Sequence, residues 1–433
     1  MRKLLATLLF LCGKMMLSQQ ALQVDTVSIS LSQAEEQFLK NNYLLLSQKF
    51  NVDASKAMIR QAGLFNNPNI YYENSVYNKF SGKYFPTEVG TWGNYNTQGE
   101  FLIQCNWLFN IAGKRNKQVK VAKAQADVAQ YQFDDLIRSL LFALRSDFYQ
   151  LHYGLKSLKL FDEEIISLTS IVTGFEEQYK KGNISLRDLT RVRALLFSMQ
   201  TGRLALYNDL LDVNKEFSVL LNNIKPSWYK PQFNEAEVNT KYTQTKISFT
   251  ELISQALQNR PDVKAAQAQL TSAEANLKLQ KAIGVPDIMA QGVFDRNGSY
   301  IPNYSAVALS VPIAIFNRNQ GNIQAAKAYL DAATQQLQLK QTAVQNEVLV
   351  SFQKILETEK LNTSLGPGFS DDFTAVLAGA KENYEKKNIS LLEFVDLFES
   401  YKESMAQQNK IKTQRINAYE ELSFSVGKDL FKK

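Results

Sequence analysis

VAKAQADVA, residues 121–129, returns as AAKAYLDAA at 325–333, and YKKGNISL at 179–186 returns as YEKKNISL at 384–391. The displacements are 204 and 205 residues, so the stretch between the motifs keeps its length to within one residue in both copies. A third match lies upstream. SLSQAEEQFLKNN from Ser30 aligns with SFTELISQALQNR from Ser248 at a displacement of 218, which holds to Pro68 on Pro286 and Ile70 on Ile288. The first copy therefore carries 14 extra residues (218 − 204) between Ile70 and Ala122. Chance similarity does not keep one displacement for so long and then resume, so the chain is one unit written twice. At about 150 residues per domain, 433 residues would suggest about three domains. The repeat replaces that with one pseudo-symmetric fold. Its halves are 19–223 and 248–433, joined near the equator by a linker at 224–247 whose Pro226, Pro231 and polar residues suit a peripheral connection.

Each copy reads as helix, hairpin, long helix, turn, long helix. Ala34, Phe38, Tyr43, Leu46 and Phe50 fall near helical spacing, as do Leu252, Ala256, Leu257 and Val263, and Pro68 and Pro286 are expected to end these helices. Hairpins follow at 69–110 and 287–316. Phe101, Ile103, Cys105, Trp107 and Phe109 share one face of a strand, with Glu100, Gln104 and Asn106 on the other. Val307, Leu309, Val311, Ile313 and Ile315 repeat the pattern opposite Ala306, Ala308 and Ser310. Their mates are Ile70–Val76 and Ile288–Phe294, and strands of about 9–11 residues can span a bilayer. Aromatic residues cluster around the first hairpin, and Trp107 and Tyr72 suit an interfacial girdle. The helix pairs are expected over 113–221 and 322–426. Phe148, Leu151, Leu155, Leu158, Phe161, Ile165, Leu168, Val172 and Phe175 step mostly by three and four, a coiled-coil seam. A helix of about 60 residues is roughly 90 Å long, too long for a compact domain. Only the second copy interrupts this rod, at Gly366-Pro367-Gly368.

Composition narrows the setting. Apolar residues make up 45% and charged residues 21%, which fits neither a disordered chain nor a polytopic helical membrane protein. Residues 1–18 carry Arg2 and Lys3, an apolar run from Leu4 to Cys12, and Ser18 as a cleavage position, the pattern of a secretory signal. Leu11 before Cys12 is too large for lipid attachment at that cysteine. Removing Arg2, Lys3 and Lys14 with the signal takes the charge from +7 to +4 (7 − 3), which gives no basis for nucleic-acid binding. No later stretch holds 18 consecutive apolar residues, so a membrane role requires a closed β-barrel. Two hairpins give four strands with two open edges, which cannot stand in lipid, and closure by other copies is required. Three chains would supply twelve strands, within the barrel range.

Together the duplication, the paired hairpins, the turns and the junction SVPIAIFNRNQGNIQAAKA (310–328) resemble the TolC-like outer-membrane channel family. The junction is most similar to the heavy-metal (cobalt-zinc-cadmium and copper) efflux branch, and WLFNIAGKRNKQVKVAKA from Trp107 is a looser version. The resemblance implies a mainly α chain with a β-barrel: a homotrimer with a 12-stranded barrel in the outer membrane of a Gram-negative bacterium, continued through the periplasm by an α-helical tunnel. It implies a passive exit duct of a tripartite efflux pump. The partners would be a periplasmic adaptor, an inner-membrane RND-type pump and outer-membrane lipid. The adaptor would dock at the tips, on Tyr179, Gly182, Asn183 and Ser185 and on Tyr384, Lys387, Asn388 and Ser390. The family's gate acids, nine and twelve positions after the turn tyrosine, fall on Asp188, Glu393 and Asp396, with Arg191 at the fourth place. Lys387 stands where the turn glycine is usual. Phe101, Ile103, Trp107, Val307, Leu309 and Val311 would face lipid.

Chemistry is absent from the pattern. No phosphate-binding loop occurs, His152 is the single histidine and has no partner for a triad or zinc site, and Cys105, on the apolar strand face, is expected to be packed. No enzyme activity, cofactor or bound metal is expected. Two alternatives share the composition: a duct for polypeptides in type I secretion, and a soluble secreted coiled-coil scaffold. Membrane fractionation separates the last from either duct.

Overall fold

A computed structural model of the chain describes residues 25–86, 99–242, 248–296, 303–364, 375–376, 379–380, 382–384, 386 and 388–431. The signal segment 1–18, Trp92, Tyr95, Gly366-Pro367-Gly368 and Lys387 lie outside them. The first copy runs β1 (Asp25–Ile29), α1 (Leu31–Asn41), α2 (Tyr43–Ala62), β2 (Asn69–Asn74), a short β3 (Tyr77–Asn78) and β4 (Lys83–Tyr84), β5 (Phe101–Phe109), α3 (Lys114–Lys180) and α4 (Leu186–Leu220). The connection holds β6 (Ser227–Pro231) and α5 (Glu235–Lys241). The second copy runs α6 (Phe249–Asn259), α7 (Pro261–Ile283), β7 (Ile288–Asp295), β8 (Tyr304–Ser310), α8 (Gln320–Ser364) and α9 (Leu391–Val426).

The rod is longer than its sequence suggests. Helix α3 has 67 residues, which at 1.5 Å per residue is about 100 Å. Of the seam residues, Phe148, Leu151, Leu158, Leu168, Val172 and Phe175 are buried, and Leu155, Phe161 and Ile165 are partly so. Two cores result. One lies where both copies meet the connection, around Phe148, Tyr149, Phe217, Tyr242, Val344 and Tyr419. The other lies at the far end of the rod, around Leu168, Phe175, Leu189, Phe394 and Phe398.

The leading segment of each copy is two helices rather than one. Asn42 ends α1 and caps α2, its Oδ1 accepting from the Leu45 N–H at 3.0 Å and its Nδ2 donating to the Leu220 carbonyl at 2.9 Å. Arg260 stands at the same place (42 + 218 = 260) and its guanidinium reaches the Ser425 carbonyl at 3.1 Å, also the repeat equivalent (220 + 205 = 425). One kink is thus made twice with different side chains. Helices α2 and α7 stop at Ala62 and Ile283, capped by Gly63 and Gly284, several residues before Pro68 and just before Pro286. The prolines follow the ends and do not cause them.

The connection read as peripheral is pinned to the rod. β6 pairs in parallel with β1, and Tyr229, Val238 and Tyr242 are buried. His152 on α3 holds it in place, with Nδ1 3.2 Å from the Pro231 carbonyl and its ring 4.1 Å from that of Phe233.

A channel wall and a helical tip as candidate functional sites

The membrane candidate is one four-stranded sheet in the order β2-β5-β7-β8. Its register sorts the side chains, because residues opposite one another share a face. Ile70 pairs with Cys105, which pairs with Gly292 and then Val307, while Trp107 pairs with Ala290 and then Leu309. That face therefore carries Ile70, Tyr72, Phe101, Ile103, Trp107, Phe294, Val307 and Leu309. The other carries Asn69, Tyr71, Glu73, Gln104, Asn106, Gln291 and Asp295 together with the apolar Leu102, Leu108, Met289, Val293 and Ala308 by the same register. Rings tie the apolar face together, with Tyr72 and Phe101 centred 5.5 Å apart and Phe101 and Phe294 6.3 Å apart. The Trp107 indole N–H donates to the Asn66 carbonyl at 2.9 Å. Val307 is 86% exposed and Leu309 72% exposed. Among the described residues, both outer strands, β2 and β8, have one edge without a strand partner.

Three sequence expectations are corrected by the sheet. Val311, with Ile313 and Ile315, lies beyond β8, which ends at Ser310. Met289 opposes Ser310 next to the start of β7, and Pro312, which has no N–H to give, follows Val311, so pairing ends there. Cys105 is exposed rather than packed, because it stands on the apolar row of the sheet, which no described residue covers. The strands, of 6, 9, 8 and 7 residues, are mostly shorter than the 9–11 expected.

The helical tip joins both copies. The two turns are closed alike, since the Asn183 N–H donates to the Gln178 carbonyl at 2.9 Å and that of Asn388 to the Asn383 carbonyl at 2.8 Å. Gly182 adopts φ +76°, a left-handed conformation that suits glycine. Tyr384 stacks on Phe175 at 5.6 Å and meets Phe394 at 5.2 Å, so the second turn is packed onto the first helix pair. Burial, and then the nearby Asp188 carboxylate, push the Tyr384 phenol above its ordinary value.

The gate candidates have local duties. Asp188 accepts from the Ser185 hydroxyl at 2.7 Å, and its own N–H donates to that hydroxyl at 3.2 Å. Glu393 completes a capping box in which the Ser390 N–H and hydroxyl donate to Oε2 at 2.8 and 2.9 Å. Those bonds hold the Glu393 carboxyl below its usual range. Asp396, one turn on, is exposed. The pattern Ser-x-x-acid, present at 185–188 and 390–393, was the available signal for these caps.

The charged groups near the equator have no signature in residue spacing. Arg145 pairs with Glu35 at 2.6 Å and with Glu420 at 2.9 Å. Arg260, 2% exposed, binds Asp262 at 2.7 Å and Glu347 at 2.6 Å. Burial works against the charged form of Asp262, but Arg260, then Arg138 and Lys340, hold it down to about 2. Asp147 goes the other way: burial, and secondarily Glu216 on α4, push it up to about 7 from an ordinary 3.8. An acid with a raised folded pKa disfavours folding increasingly as pH rises from its unfolded value to its folded one, and by a constant amount above. Asp147→Asn is therefore expected to leave stability unchanged near pH 4. At pH 8 it should raise stability by about 1–2 kcal/mol, discounted for partial exposure. Thermal melts at the two pH values measure this; an equal gain at both would show that proton uptake is not the cause.

Among the described residues no cluster of histidine, cysteine or carboxylate side chains could hold a metal ion, and no helix is long and apolar enough to cross a membrane. A family model for outer membrane efflux proteins matches residues 35–222 and 252–428. The cobalt-zinc-cadmium resistance protein CzcC of Cupriavidus metallidurans is 21% identical over 288 residues, 65% of this chain and 68% of that one. The cation efflux system protein CusC of Escherichia coli is 22% identical over 329 residues, 71% of this chain and 69% of that one. The crystal structure of the Campylobacter jejuni CmeC outer membrane channel matches with a TM-score of 0.72 at 15% identity, covering 92% of this chain and 86% of that one, a likeness of fold. The two-faced sheet and the long paired helices are the architecture of a TolC-like channel, and the chain belongs to the outer membrane efflux protein family.

Proposed function

We propose that the chain is the exit duct of a tripartite RND-type efflux pump, a passive gated channel for small solutes, with heavy-metal ions as the favoured class. The observation that carries this reading is the sheet. One face is mostly apolar, the other holds most of the polar strand residues, and among the described residues the two outer strands leave an edge open to strands from other copies. Three copies supply twelve strands (3 × 4), within the range of outer-membrane barrels. The polar rows of Gln104, Asn106, Gln291 and Asp295 then line water, and α3, α4, α8 and α9 continue the tube. The heavy-metal class rests on the names of the two relatives, a cobalt-zinc-cadmium resistance protein and a cation efflux protein. The chain offers no soft-ligand cluster among its described residues, so metal choice would belong to the pump and the duct would only conduct. The adaptor would dock at the tips and draw the helix pairs apart.

Reconstitution in planar bilayers tests this. Wild-type protein should form water-filled channels, and recovery in the soluble fraction without detergent would overturn the reading. The gate assignment has its own test. A ring of like carboxylates attracts cations and sets local repulsion. Asp396→Ala, which leaves both caps intact, should change single-channel conductance, and Glu393→Ala with Asp396→Ala should raise it further as the second turn loosens. Conductance equal to wild type in both would place these carboxylates on the outer surface.

A further inference from the structure

Tyr179 and Tyr384 occupy one position of the repeat (179 + 205 = 384), as do Leu186 and Leu391 (186 + 205 = 391). The fold uses the two pairs differently. Tyr384 is wedged between Phe175 and Phe394, and Leu391 packs against the same core. Tyr179 is 41% exposed and Leu186 57% exposed. They flank the Gly182 turn where α3 ends and α4 begins, at the extremity of the rod. Lys180, Lys181, Arg187 and Arg191 surround them, all exposed. The nearby carboxylates are mostly engaged: Asp188 with Ser185, and Glu176 with Arg193 at 2.5 Å; Glu177 lies one turn back on α3. At the second turn Lys386 pairs with Glu382, and the equivalents of Arg187 and Arg191 are Leu392 and Asp396.

We propose that the two turns have divided their work: the second braces the tip, and the first is the docking face. An apolar centre of Tyr179 and Leu186 inside a basic rim fits a partner whose own end is acidic with an apolar residue at its middle. Aromatic and aliphatic anchors at the centre of an interface give most of its affinity, and rim charges set partner choice and association rate. An end-on position favours a separate protein over a neighbouring copy, because rods lying side by side meet along their flanks and leave their ends free. This rests on the adaptor-docking reading above and names the turn and the chemistry that docking uses.

The test uses the full-length channel in detergent and the purified full-length adaptor encoded with its pump, with poly-L-glutamate as a competing probe. Lys180→Glu with Lys181→Glu, Arg187→Glu and Arg191→Glu should weaken adaptor binding at least tenfold, mainly by slower association, and should flatten its dependence on salt. Poly-L-glutamate should compete with the adaptor on wild type and not on this variant. Tyr179→Ser, a milder change, should weaken binding severalfold with the salt dependence retained, whereas Lys386→Glu at the second turn should change it less than threefold. Equal losses from the two turns, with the trimer and its conductance intact, would overturn the division of labour alone. Loss of the trimer in the first-turn variants would make a neighbouring copy the occupant and overturn the proposal. Absence of adaptor binding to wild type would overturn the docking reading itself.

Discussion

Arg260→Met is expected to destabilise the chain by about 3–5 kcal/mol, because removing one partner of a buried ion pair leaves the others desolvated and uncompensated. The side chain is 2% exposed and serves Asp262, Glu347 and the Ser425 carbonyl together. Lys340 at 3.4 Å and Arg138 at 3.9 Å still offer charge to Asp262, which places the loss toward the lower figure. The site is also tight. Gly427, at φ +72°, lies so close that a Cβ there would meet the Arg260 Cα at 3.0 Å, so the pocket cannot shift to fill the gap. The Arg260 guanidinium holds the Asp262 carboxyl down to about 2, so its share of stability is present above an ordinary carboxylate pKa and fades as pH falls toward 2. The variant should therefore lose least in acid, where Asp262 is protonated. Chemical unfolding in detergent at pH 7 and at about pH 2, near the folded value of Asp262, measures this, with Arg260→Met combined with Asp262→Asn expected to recover part of the loss. A cost below about 1 kcal/mol at pH 7 would show that the cluster is dispensable, as an exposed pair would be.

Leu309→Arg is the second large effect. Leu309 is on the outward row opposite Ala290, whose other neighbour is Trp107. An arginine facing lipid costs about 2–4 kcal/mol at the bilayer midplane and about 0–1 kcal/mol near an interface. Leu309, one residue from the end of β8 and in the row of Trp107, falls toward the lower figure in each copy, and three copies would carry it at once. Assembly should fail, visible as loss of the heat-sensitive oligomer band and of outer-membrane recovery. Ala308→Arg, one residue away on the polar row opposite Gln291, should assemble. If Leu309→Arg assembles normally while Ala308→Arg fails, the two faces of the sheet have been exchanged.

Much of this architecture is legible in the residues. The repeat displacements locate both helix pairs and both hairpins, and the seam from Phe148 to Phe175 lies in the two cores as its spacing implies. Alternation from Phe101 to Phe109 sorts the strand faces correctly. Val307, Leu309, Val311, Ile313 and Ile315 alternate, and Pro312 among them, with no N–H for a ladder, is the local sign that pairing ends near Ser310. What sequence could not show depends on partners distant in the chain. Strand β6 is five residues in a polar connection, and only its pairing with β1 and the burial of Tyr229 give it a role. Asn42 reads as a polar residue inside a helix until its contact with Leu220, 178 residues away, is seen. At the tip, one motif written twice suggested equivalent turns; the difference arises in packing, where Tyr384 finds Phe175 and Tyr179 finds no such ring.

The two unpaired edges of the sheet set an order of events in biogenesis. The rod packs helices of both copies against each other within one chain. The wall cannot be completed by any single chain, since β2 and β8 each lack a strand on one side. A newly made copy would thus hold a finished shaft and an unfinished, adhesive rim. Its residence in that condition would lengthen as copies become scarce, because closure waits on encounters. Dilution would then select for off-pathway sticking of exposed strands, and cells making this chain would gain from bringing copies together before the strands meet lipid.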